Sequence, residues 1–312
     1  MHRRTRSASR AASRTPRVVL SGALLLTVSL LAVAGMRFIP GAPLQAAPRW
    51  LGGGQSTPGQ AAPGQAGEGA GRPTVAPSPS PSPLAVRPGP VKITGARFAE
   101  WALLDHRTGE VYGSKRMSAT SHTASLVKAW IAADYLRRVD EAGREPSVTR
   151  LRQLSTMIRD SDNDTAIELY EINGGLSSGE RMIASCGMTD SRSDANWSLI
   201  RLSPRDVARL GGCIADGRAA GRAWTSWLLQ EMRLVRGVGD FGVRKAFPAS
   251  ARETIAIKNG WVVRDDSGLY EVNCLAVGDG WSVGVMTRYP AALDYTHGAA
   301  ICQSVGAQLR VR

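Results

Sequence analysis

The chain has 312 residues and a formal net charge of +13, from 39 basic and 26 acidic side chains. Ten of the basic residues and one acidic residue precede Val91, so the remainder carries 29 basic against 25 acidic, a net +4. The excess charge therefore belongs to the N-terminal segment, which argues for membrane topology and against a nucleic-acid partner.

Residues 1–17 hold six Arg and no acidic residue, and Val18 to Met36 is an apolar run of 19 residues. A basic segment before such a run is an export signal, near the ~20 residues that cross a bilayer. The favoured reading is an uncleaved signal anchor at 18–36 with the basic segment in the cytoplasm. A cleaved signal peptide is the other, with Leu44-Gln45-Ala46 a loose cleavage candidate. Residues 37–91 read as a Pro/Gly-rich disordered linker. Twelve of the 17 prolines lie between Pro40 and Pro90, and such a stretch buries too little apolar area to fold. Residues 92–312 are long enough for one domain with a sizeable core. The expected location is a single-pass membrane protein with the domain outside the cytoplasm, or a secreted protein if the signal is cleaved. A monomeric domain is expected.

Within the domain, Arg97 to Asp105 and Glu110 to Ser114 read as two strands of a hairpin turning at His106 to Gly109. A long amphipathic helix follows, carrying Ser125 and running to Arg138. Thr149 to Arg159 and Asp164 to Asn173 read as helices. Asn163 or Asp164 is the N-cap of the second, and Gly174-Gly175 ends it. Ser203 as N-cap and Pro204 at the first helical position open another helix, and Trp224 to Leu234 reads as helical. The period then changes to that of strands: Glu253 to Trp261, Leu269 to Val277 and Trp281 to Arg288. A last helix spans about Leu293 to Leu309. This order predicts an α+β fold, an antiparallel sheet of about five strands covered by terminal helices, with an inserted all-helical lobe.

Four cysteines lie in the domain: Cys186, Cys213, Cys274 and Cys302. An even number in an exported domain suggests disulfides, and three pairings are possible. Cys186–Cys213 and Cys274–Cys302 are favoured because each couples segments expected to be neighbours. No cysteine spacing suits zinc, and His2, His106, His122 and His297 form no evident cluster.

The chemistry gathers at Ser125 and Lys128. Three residues apart on a helix, they share a face. A Ser hydroxyl is a poor nucleophile until a base takes its proton, and a buried Lys has a lowered pKa and can do so. The chain has only five Lys (Lys92, Lys115, Lys128, Lys245 and Lys258) among its 39 basic residues. Where positive charge alone is needed it uses Arg, so a Lys marks a task Arg cannot perform. Downstream come Ser161-Asp162-Asn163 and Lys258-Asn259-Gly260. Taken singly, the first is ordinary turn chemistry and the second a solvated strand-edge Lys.

In this order, the three motifs resemble those of the penicillin-recognising serine enzymes, class A β-lactamases most closely. Ser203-Pro204-Arg205-Asp206-Val207-Ala208 resembles a helix start of the same group. The resemblance covers about Phe98 to the C-terminus and implies a β-lactamase/transpeptidase-like fold. It implies catalytic roles for Ser125 as nucleophile, Lys128 as base and Ser161 as proton relay to the leaving nitrogen. It further implies that Asn163 holds the substrate amide and Lys258 its carboxylate. Asn259 and Gly260 complete the binding strand, and the backbone N–H groups of Ser125 and Trp261 form an oxyanion hole. No metal or organic cofactor is implied. The expected partner is a β-lactam or a peptidoglycan stem peptide.

The pattern departs from the family in three places. Asn259 stands where Thr or Ser is usual. The interval from Ser125 to Ser161 is short. No match exists for the loop bearing the deacylating Glu: between Cys186 and Ser203 the only carboxylates are Asp190 and Asp194, while Glu168 and Glu171 sit on a helix at expected surface positions. The expected function is therefore an acylating serine hydrolase of β-lactams with slow turnover, with Asp194 the candidate substitute base. A D-alanyl-D-alanine peptidase or transferase is one alternative. A catalytically silent cell-wall binding or regulatory module is the other.

Overall fold

Two strands open the fold, β1 (Phe98–Asp105) and β2 (Val111–Gly113), the hairpin expected around His106 to Gly109. The structure, a computed structural model, describes residues 83–311. The basic segment, the apolar run and most of the linker lie outside these residues. Among the described residues no helix is long and apolar enough to cross a membrane.

A short pairing strand, β3 (Ser121–His122), leads into a 3₁₀ turn, Ala124–Val127, and then α1 (Lys128–Glu141). Ser125 thus stands on the 3₁₀ turn, one element earlier than the expected helix. The helical lobe continues with α2 (Val148–Arg159), α3 (Asn163–Ile172) and α4 (Leu176–Ser185). The N-cap of α3 is Asp162, whose carboxylate accepts from the Thr165 backbone N–H at 2.8 Å. This moves the expected cap back by one residue. Gly174 and Gly175 both take positive φ, 90° and 57°, which favours glycine, and they end α3 and launch α4 in one turn. The sequence reading assigned no element over α4, whose Ser177, Ser178 and Gly179 are weak helix formers; tertiary packing overrides that propensity.

The short strand β4 (Arg201–Leu202) pairs with β3, and α5 (Pro204–Ala215) begins as expected, with Ser203 Oγ accepting from Asp206 N at 3.1 Å. Next come α6 (Arg222–Arg233) and the short α7 (Ala249–Arg252). The three long strands are β5 (Ala256–Arg264), β6 (Leu269–Gly278) and β7 (Trp281–Pro290), and α8 (Asp294–Leu309) closes the chain. The sheet is antiparallel in the order β2-β1-β7-β6-β5, so β5 is an edge strand facing the helical lobe.

Side chains alternate across the sheet. On β6, Cys274 faces α8 through its disulfide to Cys302, while Leu275 faces α5. The other disulfide, Cys186–Cys213, ties the end of α4 to α5. Both are the favoured pairs. The packed domain begins before the expected boundary at Val91. Val86 is buried and bridges Arg310, and Arg87 N donates to Leu309 O at 2.9 Å. An apolar residue two positions from proline is still buried once the end of α8 offers its backbone a partner.

Helix α1 is the axis of the lobe, buried almost continuously from Lys128 to Leu136. Its Asp134 is fully buried and satisfied by Arg181 (Nε at 3.0 Å, Nη2 at 2.5 Å), Arg137 at 3.0 Å and Ser178 Oγ at 2.7 Å. Removing one partner from such a network leaves buried donors unmet. Asp134→Ala is expected to cost about 3 kcal/mol, read as a lower unfolding midpoint in denaturant; a loss under about 1 kcal/mol would mean that the network is solvated.

Candidate active site

The chain turns sharply just ahead of Ser125. Ala124 has φ +47°, a region disfavoured for any residue with a Cβ, and such strain persists only where surrounding structure enforces it. The enforcing contact is β5. A Cβ on Gly260 would lie 2.4 Å from Thr123 O, 2.6 Å from Leu126 N and 2.8 Å from Ser125 N. Only glycine lets the strand lie against the backbone of Ser125. This approach brings the Ser125 N–H beside the edge strand. Ser125 is half-buried, and its Oγ has no hydrogen-bond partner among the described residues.

Lys128 is fully buried one turn on. Its Nζ donates to Ser161 O at 2.5 Å and Asn163 Oδ1 at 2.7 Å, with Ser161 Oγ at 3.4 Å. Burial lowers its pKa to about 7, against the opposing pull of the Asp162 charge. Lys258, also buried, donates to Ser161 Oγ at 2.9 Å. Burial first, and the Lys128 charge second, push its pKa well below the ordinary value, against Asp160. Two ammonium groups in one dry site disfavour each other. Ser161 itself has φ +64°, which turns its hydroxyl between the two amines. Ser125, Lys128, Ser161, Asn163, Lys258 and Gly260 are thus brought together.

Asn259 and the Trp261 side chain are not. They stand on the opposite face of β5 from Lys258 and Gly260, as strand alternation requires. Asn259 Nδ2 donates to Gly239 O at 3.0 Å and Phe241 O at 2.9 Å. The Trp261 ring packs edge-on to Phe241 at 5.7 Å. The binding role that the resemblance implies for Asn259 is not served by its side-chain amide, both of whose hydrogens are already bound to the loop after α6. That loop is held at its other end by Arg236, which grips Asp160 with two bonds, 2.7 and 2.8 Å.

No carboxylate of the 186–203 stretch reaches Lys128. Asp190 is engaged by Arg205 at 2.6 and 3.0 Å and by Ser203 Oγ at 2.7 Å. Burial would raise its pKa, but those bonds hold it below the ordinary carboxylate range. Asp194 Oδ1 accepts from Asn196 N at 2.9 Å, as in a local turn, and its carbonyl accepts from Tyr170 Oη. Glu168 pairs with Arg150 at 2.8 Å, and Glu171 is exposed. What stands beside Lys128 is Trp197, its ring centroid 4.9 Å from Nζ. The sequence motifs do not include Trp197. Only the folded path of the loop from Cys186 to Ser203 reveals its place, since nothing in its spacing marks it. Among the described residues, no group of three or more His, Cys, Asp or Glu is arranged to hold a metal ion.

No protein-family model matches the chain, and no curated protein does. Solved structures do. A β-lactamase from Chitinophaga pinensis matches with a TM-score of 0.54 at 18% identity, covering 68% of this chain and 94% of that one. One from Burkholderia vietnamiensis matches at 0.57 and 20%, over 68% and 89% of the two chains. The TLA-3 extended-spectrum β-lactamase matches at 0.57 and 14%, over 70% and 94%. An ancestral class A β-lactamase is also similar, at 0.54 and 20%. The chain has the β-lactamase-like fold.

Proposed function

We propose that this chain acylates itself at Ser125 with β-lactam amides and releases the acyl group slowly. The observation that carries the reading is Lys128, a fully buried amine with a pKa of about 7, three residues after a half-buried Ser hydroxyl. In the proposed step, Ser125 Oγ attacks the lactam carbonyl carbon as its proton passes to Lys128 Nζ. The carbonyl oxygen takes the negative charge beside the Ser125 and Trp261 N–H groups. The C–N bond then breaks as the lactam nitrogen takes a proton from Ser161 Oγ, which is resupplied by Lys128. Lys258 attracts the substrate carboxylate, whose charge favours its protonated form.

Deacylation needs an activated water. The carboxylates of the loop from Cys186 to Ser203 are engaged elsewhere, and the Trp197 ring covers Lys128. An acyl-enzyme so shielded hydrolyses slowly. The same shielding favours a second reading, a D-alanyl-D-alanine peptidase or transferase, in which the acyl group waits for an amine acceptor. The two disulfides suit an oxidising compartment, and with the basic and apolar N-terminal segments they support a domain outside the cytoplasm, membrane-anchored or secreted.

Intact mass of the full chain mixed with a penicillin tests this reading. The expected result is one adduct that forms within minutes, persists for hours and is absent in Ser125→Ala. An adduct that clears with product release would replace slow turnover with true hydrolysis. No adduct with any penicillin, cephalosporin or D-alanyl-D-alanine ester would leave the silent binding module.

A further inference from the structure

A cavity of about 760 Å³ is lined by residues of β1, α5, α6 and the β6–β7 turn. None of Ser125, Lys128, Ser161 or Lys258 lines it. Its size falls in the ordinary range for small-molecule sites. Leu104, Val111, Leu229 and Val277 form apolar walls.

The charges at its rim are unevenly matched. Arg209 is paired with Asp206 at 3.0 Å, and Arg218 with Asp216 at 2.8 Å. Arg233, at the end of α6, is half-buried; its Nε donates to Thr254 O at 3.2 Å, and it has no ion-pair partner among the described residues. A half-buried guanidinium on an apolar wall is a carboxylate receptor, since its planar fork of donors matches two oxygens. Asp279 also lines the cavity without an ion-pair partner among the described residues, but it is exposed on its turn, where water screens it.

His106 adds direction. Ser282 Oγ gives its one hydrogen to Ala208 O at 2.5 Å, so the 3.0 Å contact with His106 must be donated by His106 Nε2. Burial favours the neutral ring against the pull of Asp216, Asp105 and Asp279. The neutral ring then leaves Nδ1 as an acceptor on a residue that lines the cavity.

We propose that this cavity binds a small carboxylate with an apolar, N–H- or O–H-bearing body: the carboxylate on Arg233, the body against Leu104, Val111, Leu229 and Val277, and its donor on His106 Nδ1. The site is independent of the catalytic reading and stands or falls separately.

Indole-3-acetate carries all three features and serves as the probe, titrated calorimetrically into the full chain. Saturable binding is expected, weakened roughly 10- to 100-fold in Arg233→Gln and for the neutral indole-3-acetamide, as for loss of a charge-assisted pair. Leu229→Trp, which fills the cavity, is expected to remove binding with an unchanged unfolding midpoint. The comparison of acid with amide on the unaltered chain holds even if a variant misfolds. No saturable binding up to the solubility limit would overturn the proposal. So would equal affinity for acid and amide, tighter binding of tryptamine through Asp279, or loss of binding in Lys258→Met while Arg233→Gln binds normally, which would put the probe in the catalytic cleft.

Discussion

Lys128→Arg is expected to slow acylation of Ser125 by about 10³-fold, within the usual contribution of a positioned general base, while the fold is kept. Arg retains the charge and can still donate toward Ser161 O and Asn163 Oδ1, but it cannot give up its proton near neutral pH. At 1.36 kcal/mol per decade, this is about 4 kcal/mol of barrier. The pH dependence carries the same signature. Burial lowers the Lys128 pKa to about 7, so the amine is neutral and basic above that value and protonated below it. Acylation should therefore be level at higher pH and fall about tenfold per unit below about 7, as measured by stopped-flow or quenched mass spectrometry. A rate that is flat from pH 5 to 8, or an Arg variant within tenfold of the parent, would remove Lys128 from the role of base.

The second large effect concerns a residue with no side chain. Gly260→Ala places a methyl 2.4 Å from Thr123 O and within 2.8 Å of Ser125 N. Both neighbours are backbone, so relief requires β5 to move away from the 3₁₀ turn Ala124–Val127. Overpacking of this kind costs about 1–3 kcal/mol of stability. The catalytic cost is larger, because a displacement of about 1 Å at a reacting group is worth about 10²-fold in rate. The measurement is the acylation rate beside the unfolding midpoint of the same variant. Acylation at the parental rate would show that the strand's approach does not set the geometry at Ser125.

These two residues also mark how far the sequence could be read. Ser125 and Lys128 declare themselves because a helical spacing is a local property: three residues apart means one face, whatever the rest of the chain does. Their link to Ser161, Asn163 and Lys258 came from the order of three motifs and the resemblance they carry, and the structure bonds Lys128 to Ser161 and Asn163, and Lys258 to Ser161, while Ser125 Oγ has no partner among the described residues. The sheet, the lobe inserted between β2 and β5, and the cap at Ser203 were legible from period and punctuation. The side chain of Asn259 was given no face of its own even though strand alternation is itself local. The motif was read as a unit, and the face was not assigned residue by residue.

The sequence by itself determined the class of fold, the candidate Ser125–Lys128 pair and the lack of a Glu in the loop from Cys186 to Ser203, because spacing and residue type suffice for each. Only the tertiary structure decided what occupies the space beside Lys128. Trp197 reaches it across the cleft from another element, and Asp190 is drawn away from it by Arg205 and Ser203. It also decided how low the Lys128 pKa falls, since desolvation is set by all the chain segments that exclude water from one amine, and no single stretch of residues encodes that.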